Sequence, residues 1–502
     1  MPELSKEAET DTAAWTKDKG LQLFSSWWWL PAWTILFCAA VALYWPALHA
    51  GYFSDDFLFF ATNPPAHLYD YFFRVGAAIH AYRPLEAIIL TVTQQHLRFE
   101  TLPIHLLALA CHAGLVCVVV AAARLFRLGT VETVIAAAVM LFAQVSAPAV
   151  LGNDTLSQSA SAFLGALSAF LFWRRHRAGF LSVLALGAGL FFKETALGFL
   201  LVIGILATWS ALQQPAWKER VVKATTLLLP YGLMTLVYFA CRHLAGGMMS
   251  THGRYGMHVG VNVLRNLVSF GLAAFSPVST VTSAIALATH HKAVLLLTVV
   301  SAGIIVAVTA AGVLRTKRRM LCCCLAVLAV ASLFPTFLLE HVSELYAYNA
   351  IPFVALIVGV GFGAIWRWNN FGRAVAGILI ALFLIGQTLA SRQKAALMTL
   401  NGRRAAQMIS TIDSYVRQLP PHSQVDLIRA ATNAPAYSVF VLNGFDVLDY
   451  GNIKLGAVLG RPDVRIDIVE EDQARGLTPN DHLLLLGLDK NSSIERYTPG
   501  KP

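Results

Sequence analysis

Charge is what this sequence has least of. Asp, Glu, Lys and Arg make up 13% of 502 residues, about half the ~25% of an average soluble protein. A soluble chain of this length would form about three domains of ~150 residues, each needing a charged surface that these residues cannot furnish. The soluble and disordered classes are therefore excluded. Acidic residues are the scarcer sign, 28 against 38 basic ones. Cysteine gives no framework: of seven, six (Cys38, Cys111, Cys117, Cys322, Cys323 and Cys324) lie within or at the ends of apolar runs, and Cys241 ends another. No zinc-type spacing occurs. Helical repeats and low-complexity tracts are also missing.

Apolar blocks are what the chain has in quantity. Hydrophobic residues account for 57% and mean hydropathy is +0.60. They sit in blocks rather than stripes, and ~20 apolar residues cross a bilayer core. The expected fold is an all-α polytopic membrane protein of about 11 transmembrane helices with a small α/β C-terminal extracytoplasmic domain. The net charge of +10 does not indicate nucleic acid, because the excess lies in short clusters between blocks. Those clusters are Arg174 to Arg177, Lys218 to Lys223 and Arg315 to Arg319, the pattern of cytoplasmic loops.

Three domains follow: a cytoplasmic tail over 1–27, a transmembrane domain over 28–392 with its first outer loop at 49–101, and the small domain over 393–502. The polar N-terminus lacks a basic region, short apolar stretch and cleavage site, so the first span reads as an uncleaved anchor. After it, spans are expected at 103–123, 131–150, 155–173, 178–192, 195–210, 224–241, 292–314, 320–339, 346–366 and 374–390. With the basic clusters inside, the N-terminus is cytoplasmic and the C-terminal domain periplasmic, as for a multi-pass protein of the bacterial inner membrane. Residues 261–291 suit an interfacial or re-entrant helix on the outer side, with an extra hairpin as the main alternative. An amphipathic helix at 393–418 precedes strands at Gln424–Ile428, Val464–Val469 and Leu483–Leu486.

This topology gathers the polar residues on the outer side. Asp55-Asp56 follows the first span, then Arg74 and His80-Ala81-Tyr82-Arg83-Pro84-Leu85. Pro103-Ile104-His105 opens the second span, with His112 two turns on. Asn153-Asp154, Lys193-Glu194, Glu344 and Tyr346 lie at later outer ends. Ionisable groups at membrane depth are costly and tend to serve function. Each also has a structural reading: a solvated loop start for Asp55-Asp56, a helix cap for Asn153-Asp154, a helix-bridging ion pair for Lys193-Glu194, a turn for Arg83-Pro84, and a packed histidine for His112. Their joint occurrence on one face suits sugar transfer from a polyprenyl-phosphate donor. That chemistry needs a carboxylate base and cations for the departing phosphate. Asp55 or Asp56 can be the base; Arg83, Lys193 and Arg74 can hold phosphate. His80, Tyr82, His105, His112, Asn153, Asp154, Glu194, Glu344 and Tyr346 are candidates to support them or to bind acceptor or sugar. A divalent metal is also open, since Asp55, Asp56, His105 and Glu344 could meet in space.

The ordered set Asp55-Asp56, His80 to Leu85, Pro103 to His105 with His112, Lys193-Glu194 and Glu344-Leu345-Tyr346 resembles the GT-C glycosyltransferases. Among them it is most similar to the transmembrane-and-tetratricopeptide protein O-mannosyltransferases, over about residues 28–366. The resemblance implies a lipid-phosphate-sugar-dependent transferase with Asp55 as catalytic aspartate and Asp56 as its partner. The tetratricopeptide array is missing, so the acceptor is open among glycan, lipid and protein. A lipid-linked glycan flippase or export subunit, or a ligase using a lipid pyrophosphate, are the alternatives. A flippase would line both membrane halves with polar groups, whereas here the inner halves are nearly free of acids.

Overall fold

The computed structural model describes residues 29–59, 65–75, 81–97, 100–247, 256–340, 343–429, 434–448, 455–489 and 493–498. Its helices are α1 (Trp29–Tyr44), α2 (Pro84–Leu97), α3 (Leu102–Leu125), α4 (Thr130–Phe142), α5 (Ser146–Leu151), α6 (Leu156–Arg175), α7 (Phe180–Phe192), α8 (Leu197–Leu212), α9 (Trp217–Leu244), α10 (Val261–Phe275), α11 (Thr280–Ala288), α12 (Lys292–Arg315), α13 (Arg319–Ser332), α14 (Glu344–Ala347), α15 (Ile351–Trp366) and α16 (Asn370–Val416). Among the described residues seven helices are long and apolar enough to cross a membrane, and α4, α7, α10, α13 and α15 are shorter apolar ones. The chain is a multi-pass, all-helical membrane protein with a small sheet domain.

Local chemistry explains the boundaries. Pro103 and Pro352 stand in the first turns of α3 and α15, where a missing N–H costs nothing. The Asn369 side chain accepts from Gly372 N at 2.7 Å and caps α16. α15 lies centrally, packed on α4, α12, α13, α3 and α16. A Cβ at Gly312 of α12 would overlap the Gly361 carbonyl of α15. Glycine at that crossing lets the two backbones touch, which is how helices gain packing energy inside lipid.

Three expected spans differ in detail. The stretch 131–150 is two helices, because the backbone opens at Ala143 and buried Gln144 bonds outward. Its N–H donates to Gln387 Oε1 at 2.7 Å, and its Nε2 donates to the Ser276 and Val278 carbonyls at 3.0 Å. The stretch 320–339 stops as a helix at Ser332, three residues before Pro335. The expected pieces 374–390 and 393–418 are one helix of 47 residues, since neither Pro nor any other breaker separates them. Residues 261–291 form two helices, α10 and α11.

The small domain carries strands β1 (Gln424–Arg429), β2 (Arg465–Glu470), β3 (Leu483–Leu488) and β4 (Ile494–Arg496) in the order β2-β1-β3-β4. β1 runs parallel to both neighbours and β4 antiparallel to β3. Val425 and Leu427 of β1 are fully buried, as a central parallel strand requires. The short β4 has no expected counterpart in the sequence reading.

One ion pair lies inside the bundle. Lys394 Nζ of α16 is 2.8 Å from Glu344 Oε2 and 3.1 Å from the Gln144 carbonyl, with the lysine fully buried. Thr280 Oγ1 donates to the same Glu344 oxygen. Removing one partner of a buried pair leaves an uncompensated charge. Lys394→Ala is therefore expected to cost about 3–5 kcal/mol, read as a lowered Tm of the detergent-solubilised protein. Lys394→Met combined with Glu344→Leu is expected to recover most of the loss. A Lys394→Ala protein that melts with the wild type would show that the pair does not support the fold.

Candidate active site

The loop after α1 runs through Trp45–Ala47 and reaches a short 3-10 turn, Ser54–Phe59. Two bonds fasten its start: Thr101 Oγ1 donates to the Ala50 carbonyl at 2.9 Å, and His105 Nδ1 meets the Leu48 carbonyl at 2.9 Å. Ser54 sits in the left-handed region at φ 53°, uncommon for a residue with a side chain and a mark of a constrained turn. The consecutive carboxylates beyond it have different surroundings.

Asp56 is buried and occupied. Its Oδ2 accepts from Phe53 N at 3.1 Å and from Asn153 Nδ2 at 2.9 Å, and its Oδ1 accepts from Asp154 N at 3.2 Å. It ties the loop to the Asn153–Thr155 turn that precedes α6. Asp55 is half-buried, and its Oδ1 accepts from Ser54 Oγ at 3.1 Å. Burial, and next the Asp154 carboxylate, push its pKa up to about 7, against the Ser54 bond and the Arg83 charge. A carboxylate with few partners and a pKa near neutrality is suited to take up a proton.

The cations stand on the other side of Asp154. Arg83 Nη1 is 3.4 Å from Glu86 Oε2 and 3.5 Å from the Asp154 carbonyl. Glu86 is fully buried at the start of α2, and its Oε1 accepts from Ser157 N at 2.7 Å. Lys193, between α7 and the Glu194–Ala196 turn, is only 3% exposed. Among the described residues its ammonium makes no hydrogen bond or ion pair; the Tyr346 ring lies 5.9 Å away. Arg83, Glu194, Glu86 and Asp154 are the charges that act on it most strongly. Glu194 Oε2 is buried without a hydrogen-bond partner among the described residues. Lys193-Glu194 is thus not a closed pair joining two helices.

The remaining candidates separate from this cluster. Asn153-Asp154 does not cap α6: Thr155 occupies the cap position with no side-chain bond, and the Asn153 amide turns to Asp56 instead. His112 is fully buried, its Nδ1 2.8 Å from Tyr348 Oη and its Nε2 3.2 Å from the Leu141 carbonyl. That is helix packing; buried His105 bonds the Leu48 carbonyl through Nδ1, while its Nε2 has no hydrogen-bond partner among the described residues. Tyr82 donates to the Phe72 carbonyl at 2.9 Å and packs on Phe191 and Tyr238. Glu344 belongs to the Lys394 pair, two residues before the Tyr346 ring at Lys193. Arg74 is exposed just past Leu68–Phe72, and His80 lies outside the described residues. Among the described residues no three His, Cys, Asp or Glu side chains are placed to hold a metal ion, so Asp55, Asp56, His105 and Glu344 do not assemble one.

Two residues escaped the sequence reading. Glu86 had a signal, a single acid opening an apolar helix three residues after Arg83. Lys394 had less, since its partner lies fifty positions away.

No protein-family model matches the chain, and no curated protein matches it. Two solved structures do. ArnT from Cupriavidus metallidurans in the apo state aligns with TM-score 0.50 at 13% identity, over 92% of this chain and 94% of that one. The same protein bound to undecaprenyl phosphate aligns with TM-score 0.48 at 13% identity, over 91% and 93%. This likeness is to the GT-C fold in general and does not reach the finer resemblance to tetratricopeptide O-mannosyltransferases. Over nearly its whole length, the chain has an ArnT-like GT-C fold.

Proposed function

We propose that this protein is a membrane glycosyltransferase that moves a sugar from a polyprenyl-phosphate donor to an acceptor hydroxyl on the extracytoplasmic face, with inversion. The carrying observation is Lys193: a buried ammonium, unpaired among the described residues, beside Arg83 and across Asp154 from a half-buried Asp55. A buried cation without a partner is expensive, and an anionic guest such as a lipid phosphate offsets that cost. The shared fold with ArnT, which has been solved with undecaprenyl phosphate, supports the same class of ligand.

In this reading Asp55 takes the acceptor hydroxyl proton while the acceptor oxygen forms its bond to the anomeric carbon. The bond from that carbon to the phosphate oxygen breaks, and its electron pair leaves with the lipid phosphate. Arg83 and Lys193 stabilise the charge that develops there, arginine through a planar fork and lysine as a point charge. Asp56 fixes the loop, Glu86 aims Arg83, and Glu194 and Tyr346 line the lysine. Exposed Arg74 would meet the donor at the rim. A defined lipid-monophosphate sugar and a lipid-pyrophosphate glycan, offered in parallel, distinguish this reading from a ligase; release of free lipid phosphate distinguishes it from a flippase.

Asp55→Asn is expected to keep lipid-phosphate binding while kcat falls ~10²–10⁴-fold, the contribution of a positioned base. In the wild type kcat/KM should rise with pH through about 7, because protonated Asp55 cannot accept a proton. Near-normal turnover by Asp55→Asn with an inactive Asp56→Asn would move the role to Asp56. Activity in both would end the proposal.

Arg83→Ala and Lys193→Ala should each weaken binding of the free lipid phosphate by about tenfold or more, as loss of a charge-assisted contact does. Wild-type affinity in both folded variants would remove the phosphate role.

Orientation has its own test. On a background lacking the seven native cysteines, Cys at exposed Arg74 or His290 should react with an impermeant thiol reagent from outside. Cys at exposed Arg175 or Lys317 should not. Reaction of both sets from one side would overturn the proposed topology.

A further inference from the structure

A cavity of about 420 Å³ lies between the start of α10 and the chain after α13, lined by His258, Val261, Asn262, Arg265 and Glu340. It shares no residue with the Asp55 cluster, and its size falls in the ~300–1,000 Å³ range of small-molecule sites. Its walls are held by backbone contacts. Asn262 Nδ2 donates to the His258 and Leu338 carbonyls at 2.9 and 3.1 Å, and Asn266 Nδ2 to those of Phe337 and Leu339 at 3.0 and 2.7 Å. Arg265 Nη2 donates to the Glu340 carbonyl at 2.7 Å. The Glu340 carboxylate itself makes no ion pair among the described residues, with Arg265 or any other cation. One cavity therefore holds a guanidinium and a carboxylate that do not neutralise each other.

Two more features define the guest. Gly260 caps α10 without a side-chain bond, and the partial positive charge of a helix N-terminus favours an anion beside Arg265. Val261, Leu264 and Val268 are exposed along one face of α10, at the i, i+3, i+7 spacing of an apolar stripe. A charged pocket continuous with an apolar stripe fits a molecule with a polar head and hydrocarbon tails.

We propose that this cavity is a binding site for a zwitterionic phospholipid with a primary ammonium, phosphatidylethanolamine. Arg265 and the α10 N-terminus receive the phosphate, and Glu340 accepts hydrogen bonds from the ammonium. The acyl chains lie along Val261, Leu264 and Val268. A primary ammonium donates to the carboxylate; a quaternary choline cannot, and an uncharged glycerol head leaves Glu340 unpaired.

The test is lipid competition on the full-length protein in mixed micelles, read by native mass spectrometry. Wild type should retain phosphatidylethanolamine about tenfold better than phosphatidylglycerol or phosphatidylcholine, the scale of one charge-assisted contact. Glu340→Gln should abolish that preference, and Arg265→Ala should weaken retention of all three, with melting temperatures unchanged. Equal retention of the three lipids by wild type would overturn the proposal without reference to any variant. So would a preference that survives Glu340→Gln. Glycerophosphoethanolamine, which has the head and no tails, should fail to compete; competition as strong as the lipid's would identify a soluble ligand and refute the lipid assignment.

Discussion

Everything proposed for the active site depends on where Asp56 sits. Three N–H donors from two segments about a hundred residues apart converge on its two oxygens. A carboxylate so bonded is strongly favoured in place, and it brings the loop after α1 against the turn that starts α6. That turn carries Asp154, whose carbonyl meets Arg83. The neighbouring Ser157 amide holds Glu86, which bonds Arg83 from the other side. One residue's burial thus sets the distance between the prospective base and the prospective phosphate ligands. Asp55, one position earlier, keeps its freedom because Asp56 has the anchoring role.

Two buried charge clusters in this bundle illustrate opposite outcomes of the same physics. Around Glu344 and Lys394 the account is closed for the cation: the lysine meets a carboxylate oxygen and a carbonyl, and the same oxygen accepts from Thr280, while Glu344 Oε1 is buried without a hydrogen-bond partner among the described residues. Around Lys193 it is open, with an ammonium lacking a bonded partner and a Glu194 oxygen likewise unbonded among the described residues. In a low-dielectric interior both charges would be neutralised or paired if stability alone were served. An open cluster of ionisable groups in a membrane bundle is the kind of place that serves function rather than stability.

Most of the helical architecture was legible because apolar blocks of bilayer length admit one interpretation. What escaped was local: the break at Gln144 depends on acceptors at Ser276, Val278 and Gln387, which no window of sequence brings together. The candidate site was legible where motif residues fall beside one another in space, as with Asp55, Arg83, Asp154 and Lys193. It failed where a polar residue's partner is supplied by another helix. His112 bonds Tyr348, and Glu344 pairs with Lys394, and those pairings are long-range facts of packing. Histidines at helical spacing say which face they share, but not whether that face is a cavity or a neighbouring helix.

The 47-residue α16 shows how the small sheet domain is joined to the end of the bundle that carries the candidate site. At ~1.5 Å per residue it extends about 70 Å, enough to cross the bilayer and continue well beyond it. Four contacts lie on its C-terminal half. Lys394 holds Glu344, and hence the short helix bearing Tyr346. Thr399 Oγ1 donates to the Pro46 carbonyl at 3.1 Å. Gly402 lies against Gly51 so closely that a Cβ there would stand 2.6 Å from the Gly51 nitrogen. Asn401 Nδ2 donates to the Val439 and Phe440 carbonyls of the sheet domain at 2.9 and 3.2 Å. The loop carrying Asp55 and the turn carrying Tyr346 are therefore referenced to one rigid rod, and the same rod bears the sheet domain. A displacement of that domain strong enough to tilt α16 would change both sides of the site together, because no flexible linker intervenes between residues 394 and 402.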